Sequence, residues 1–139
     1  MINFTKFLHT TFVVALVGIL SACSCQTQNV HPSITNLSSS EFNERIKNDG
    51  ILIDVRTPSE FNEGHLENAM AMDYYDDAFE KMAIELPKDK DVYVYCRSGR
   101  RSSSASIILL EQGHPQVYNL IGGINAWQTS GLPVFQKIK

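Results

Sequence analysis

What the chain has little of narrows the field first. Its 139 residues hold only three cysteines, at positions 23, 25 and 96, each in a different context. Such a set builds neither a disulfide framework nor the ligand spacing of a metal site. Charge is modest, at 19% of residues, with 12 basic against 15 acidic side chains and a net charge of −3. That balance gives no general attraction to nucleic acid. No segment repeats itself, so the chain is not a tandem pair. The longest apolar run, Phe12 to Leu20, is too short to cross a bilayer comfortably and reads as the core of a signal peptide. What remains is one ordinary globular domain, 43% hydrophobic and long enough for a single core.

Against that background one stretch stands out: Cys96-Arg97-Ser98-Gly99-Arg100-Arg101-Ser102. Ahead of it, Asp91 to Tyr95 is β-branched and aromatic and predicts a buried strand. Behind it, Ser103 to Leu110 predicts a helix closed by Gly113. A cysteine at a strand end, a short glycine loop and a helix start make an anion site. The loop and first-turn N–H groups lack carbonyl partners, and the helix dipole adds about half a positive charge. With three arginines nearby, thiolate is favoured over thiol. A buried structural cysteine is the alternative, but arginines and serines are poor core neighbours.

The rest of the chain alternates strands and helices. Ser38 and Glu41 form a capping box, with Leu37 placed to staple onto Phe42, and the helix runs to about Lys47. Gly50 to Val55 is apolar enough for a strand covered on both faces, which predicts a parallel sheet. Thr57-Pro58-Ser59-Glu60 starts a second helix that Gly64 stops. Ala69 to Asp73 is a short strand. Phe79, Met82, Ala83 and Leu86 form a core-facing helical stripe ended by Pro87. Val117 to Leu120 is a further strand, and Gly122 to Gln128 a last helix. Asp54 and Arg56, like Cys96, fall at a strand's carboxyl end, where ligands gather in parallel sheets.

Three motifs in register extend the reading. Cys96 to Arg101 resembles the active-site loop of rhodanese-domain sulfurtransferases. Ile53-Asp54-Val55-Arg56-Thr57-Pro58-Ser59-Glu60-Phe61 with Gly64-His65-Leu66-Glu67-Asn68-Ala69 resembles that family's first signature, and Gly122-Gly123-Ile124-Asn125-Ala126-Trp127 its last. The similarity covers about residues 34–135. It implies a three-layer α/β/α fold around a mainly parallel five-stranded sheet, with Cys96 as nucleophile and Arg97, Ser98, Gly99, Arg100, Arg101 and Ser102 as the substrate-binding loop. Arg97 and Arg100 are expected to meet an anionic donor and Arg101 to stitch the loop in place. Asp54, Arg56 and His65 are expected to brace neighbouring loops. No cofactor or metal is implied. The partners would be a small sulfur donor, thiosulfate or a persulfide, and a thiol or cyanide acceptor. A carrier that holds persulfide for a partner is the alternative. A phosphatase or arsenate reductase of the cell-cycle-control type needs Cys-x5-Arg; the sixth position after Cys96 is Ser102, so this loop is one residue short for a tetrahedral oxyanion.

The apolar run ends in Leu20-Ser21-Ala22-Cys23, which resembles the bacterial lipobox. The expected organisation is a lipoprotein signal at 1–22, a lipidated tether at 23–33 beginning at Cys23, and the catalytic domain at 34–139. Its location would be the cell envelope, held at the membrane by the lipid and facing the periplasm or exterior. Cys25 sits in the tether and reads as an incidental thiol, with a redox partnership with Cys96 as the alternative.

Overall fold

The computed structural model describes residues 31–136. The expected signal segment and tether cysteines, Cys23 and Cys25, lie outside them. Five strands, β1 (Ser33–Leu37), β2 (Gly50–Asp54), β3 (Met70–Ala71), β4 (Asp91–Tyr95) and β5 (Gln116–Leu120), form one sheet in the order β1-β5-β4-β2-β3. Every strand pair in it is parallel. Five helices connect or follow them: α1 (Ser39–Arg45), α2 (Pro58–Glu63), α3 (Phe79–Glu85), α4 (Arg100–Glu111) and α5 (Gly123–Thr129).

The side-chain alternation along β4 divides the core into two layers. Val92, Val94 and Cys96 face the cluster that α3 and α4 close with Phe79, Ala83, Ala105 and Leu109. Tyr93 and Tyr95 face the other, closed by Phe42 of α1 and by Ile124 and Trp127 of α5. Both faces of the sheet are therefore covered, which is why Val92 to Tyr95 of β4 are all buried. The three-layer α/β/α architecture agrees with the expectation.

Local chemistry explains the helix ends. Ser38 and Thr57 each accept from the N–H three residues on, while Glu41 and Glu60 reach back to the cap N–H. Leu37 and Phe42 are buried in one cluster, as the staple predicts. Two elements differ from the sequence reading. Residues 33–37 form an edge strand, so Ser33, placed in the tether above, opens the sheet beside Gln116. Helix α4 starts at Arg100 rather than Ser103, inside the loop that the sequence suggested.

Candidate active site

Because Cys96 continues the Val92–Val94 face, its sulfur points beneath the start of α4 rather than out to solvent. The residue is 1% exposed and is a free cysteine. The Gly99 N–H donates to Sγ at 3.1 Å, and the Ser102 hydroxyl, itself fully buried, donates at 3.5 Å. The N–H groups of Ser98 and Ser102 also act on the sulfur. Helix α4 has Gly99 at its N-cap and no capping side chain. The sulfur occupies the place a capping oxygen would take, receiving the otherwise orphaned first-turn donors. Burial pushes the Cys96 thiol up; the Ser102 hydroxyl and the N–H groups of Ser102, Ser98 and Gly99 outweigh it and leave the pKa below its ordinary value. The result is a thiolate cradle.

The cradle is held from outside by α5. Ile124 N–H donates to Cys96 O at 2.8 Å, and Asn125 N–H to Arg97 O at 3.2 Å. A trans peptide carries its C=O and the next N–H on opposite sides. Turning the Arg97 carbonyl outward to α5 therefore turns the Ser98 N–H inward. Gly123 makes this approach possible: its φ is +58°, and an added Cβ would lie 2.3 Å from Cys96 O.

The loop arginines are divided in their contacts. Arg97, Ser98 and Arg100 are exposed. Arg101 is not free to receive an anion: Nη1 and Nη2 donate to the two Glu60 oxygens, each at 2.7 Å, and its guanidinium lies 5.6 Å over the Tyr75 ring. The Glu60 carboxyl is pulled down to about 2 by Arg101, against the effect of burial and with help from Thr57. The lowered Cys96 pKa thus rests chiefly on hydrogen bonds rather than on the arginine charges invoked from sequence. Glu60 was legible there only as a capping residue; nothing in the linear pattern tied it to a residue 41 positions away.

Asp54 and Arg56 brace the floor. Both Asp54 oxygens accept from the Arg56 side chain at 2.6–2.9 Å, and Arg56 Nη2 donates to Gly64 O at 2.6 Å. The pair is buried, and the guanidinium packs 5.7 Å over Tyr95. His65 stacks on Phe61 at 3.9 Å, with Nδ1 3.1 Å from Phe61 O, and its backbone pairs with Phe135. Neither His65 nor the Asp54–Arg56 pair has a hydrogen bond to the Cys96 sulfur. A polar cleft of about 220 Å3 flanks the loop, with Arg97, Glu63, Asn125 and Gln128 in its lining. Among the described residues no cluster of His, Cys, Asp and Glu could hold a metal, and no helix is long and apolar enough to cross a membrane.

Comparison with known proteins gives a consistent result. The model of the rhodanese-like domain family matches residues 38–130. A sulfurtransferase of Allochromatium vinosum is 38% identical over 103 residues, covering 73% of this chain and 94% of that one. The thiosulfate sulfurtransferase GlpE of Coxiella burnetii is 35% identical over 82 residues, 59% of this chain and 75% of its own. The crystal structure of a rhodanese-related protein from Thermoplasma volcanium superposes with a TM-score of 0.65 at 31% identity, over 74% of this chain and 99% of that one.

Proposed function

The chain belongs to the rhodanese-like domain family, and from that premise we propose that it is a sulfurtransferase in which Cys96 carries the sulfur. The observation that carries the reading is the Cys96 sulfur seated among inward-facing donors, with its pKa below the ordinary value. The Cys96 thiolate attacks the outer sulfur of thiosulfate; the S–S bond of the donor breaks, and sulfite leaves with the electron pair. The product is a Cys96 persulfide, whose terminal sulfur is an anion the Arg97 to Ser102 loop stabilises. Cyanide or a thiolate then attacks that terminal sulfur, the Sγ–S bond breaks, and Cys96 returns as thiolate. Two half-reactions through a covalent intermediate give ping-pong kinetics. No general base is needed once the thiol is ionised, which fits a site where His65 makes no hydrogen bond to the sulfur. Buried Ser102 occupies the position where a Cys-x5-Arg loop would carry its arginine, and Arg101 turns instead to Glu60, which favours sulfur transfer over phosphate hydrolysis. Thiosulfate–cyanide turnover tests the reading: Cys96→Ser should abolish it, and a Cys96→Ser protein of undiminished activity would overturn it.

We further propose that the mature protein begins at a lipidated Cys23 and is anchored in the cell envelope. Ser33 opens β1 beside Gln116, at the end of the parallel sheet opposite Cys96. A tether arriving there would join the domain at the end of the sheet away from Cys96.

A further inference from the structure

The Glu60–Arg101 pair joins the first turns of α2 and α4, and the proposed reaction does not use it. Its side chains are 19% and 13% exposed. Glu60 sits in the first turn of α2, where its carboxylate also closes the capping box with Thr57. Arg101 sits in the first turn of α4, directly before the Ser102 that donates to Sγ. Tyr75, from the segment between β3 and α3, covers one face of the guanidinium. The guanidinium is thereby fixed in direction, and its charge is matched by a carboxylate on the other side. The other arginines of the site differ from it: Arg56 is bound to Asp54, while Arg97 and Arg100 are exposed. Of the loop arginines, Arg101 is thus the one whose charge is set against a carboxylate, and that carboxylate is Glu60.

We propose that Glu60 is a positioning residue that tunes the nucleophile: by neutralising Arg101 it keeps the Cys96 thiolate basic, and so reactive, while the loop N–H groups keep it ionised. The reason for such a division is that thiolate nucleophilicity falls as the thiol becomes more acidic, with a Brønsted slope of roughly 0.4–0.5. A full, unbalanced cation beside the sulfur would ionise it further and blunt its attack on a sulfane sulfur. Hydrogen bonds from the loop stabilise the anion locally, and the carboxylate prevents the arginine from adding to them. Arg101 and Cys96 do interact electrostatically: the thiolate is among the causes that raise the Arg101 pKa, after Glu60 and against burial. This role rests on Cys96 being the sulfur-accepting nucleophile.

The test is a double-mutant cycle read by alkylation of the Cys96-containing peptide with iodoacetamide across pH, in the full chain, which requires no sulfur donor. Glu60→Gln can still accept from Thr57 and Arg101 but leaves the guanidinium unbalanced. Its profile should move to lower pH, with alkylation about twofold to fivefold faster below the wild-type midpoint and slower on the plateau above it. Arg101→Gln leaves the carboxylate alone beside the sulfur, and its profile should move the other way by a similar factor. The double variant should return close to wild type. A purely structural role predicts instead that both single variants shift in one direction, toward the reactivity of an ordinary buried thiol. Same-direction shifts, an unmoved Glu60→Gln profile, or a double variant no nearer wild type than the singles would overturn the proposal. A protein that alkylates as expected but takes no sulfur from thiosulfate would instead refute the sulfurtransferase reading and remove the function that the tuning serves.

Discussion

Replacing Gly123 by alanine should damage the active site more than the fold. The new Cβ would stand 2.3 Å from Cys96 O, 2.7 Å from Arg97 C and 2.8 Å from Arg97 O. All three are backbone atoms, so no rotamer change relieves the overlap. Reaching ordinary contact requires the loop and α5 to part by about 1 Å. Alanine at the left-handed φ of +58° adds about 1–2 kcal/mol. Parting stretches the Ile124 and Asn125 hydrogen bonds to the loop carbonyls, worth about 0.5–1.5 kcal/mol each. Together these give a destabilisation of about 2–5 kcal/mol, within the range a stable domain of this size survives. The larger effect is on chemistry. The same two bonds orient the loop N–H groups, and misplacing catalytic groups by about 1 Å costs on the order of 100-fold in rate. Gly131→Ala is the matched control: φ is +73° but nothing lies within 4 Å of its Cβ, so only the backbone strain applies. Urea denaturation and thiosulfate–cyanide turnover on both variants separate the effects. Wild-type turnover by Gly123→Ala, or an equal loss in Gly131→Ala, would refute the account of how α5 holds the cradle.

Other consequences follow from the same contacts. Ser102→Ala removes the hydroxyl that is foremost among the causes lowering the Cys96 pKa, so the thiol should ionise at higher pH. Its alkylation rate should fall below the wild-type midpoint, and a shift to lower pH would contradict the assignment. Asp54→Ala strands the buried Arg56 guanidinium and should cost about 3–5 kcal/mol in urea denaturation, whereas a loss under about 1 kcal/mol would mean the pair is not the brace described. Cys23→Ala should move the protein from the membrane fraction to the soluble one, or leave its signal uncut; an unmodified Cys23 in the native N-terminal peptide would remove the proposed anchor.

The sequence was most legible where local chemistry decides the outcome. Two capping boxes, the proline in the first turn of α2 and the helical stripe of α3 each appeared as expected, because their signals lie within a few residues of one another. Strand β1 did not announce itself. Ser33 to Leu37 is an edge strand of mixed polarity, and it is recognisable only through its ladder with β5, 83 residues away. Helix α4 starts three residues before Ser103, and the sequence hides that start for a different reason. A helix normally begins with a side-chain oxygen at the cap, but here Gly99 holds that position and the sulfur of Cys96 receives the free donors. The feature that makes the site reactive is the one that hides the helix boundary. The Glu60–Arg101 pair was likewise out of reach, since each residue had a sufficient local explanation, one as a cap and the other as part of a basic loop. The three motifs gave the family and the nucleophile's surroundings; the apportioning of the arginines needed the third dimension.

The most direct test of the central claim is the mass of the intact protein after incubation with thiosulfate and removal of excess donor. A Cys96 persulfide predicts a gain of one sulfur, roughly 32 Da, that maps to the Cys96 peptide and disappears when cyanide is added. Cys96→Ser should show no gain under the same conditions. An unchanged wild-type mass, or a sulfur that stays on the protein when Cys96 is replaced, would contradict the mechanism.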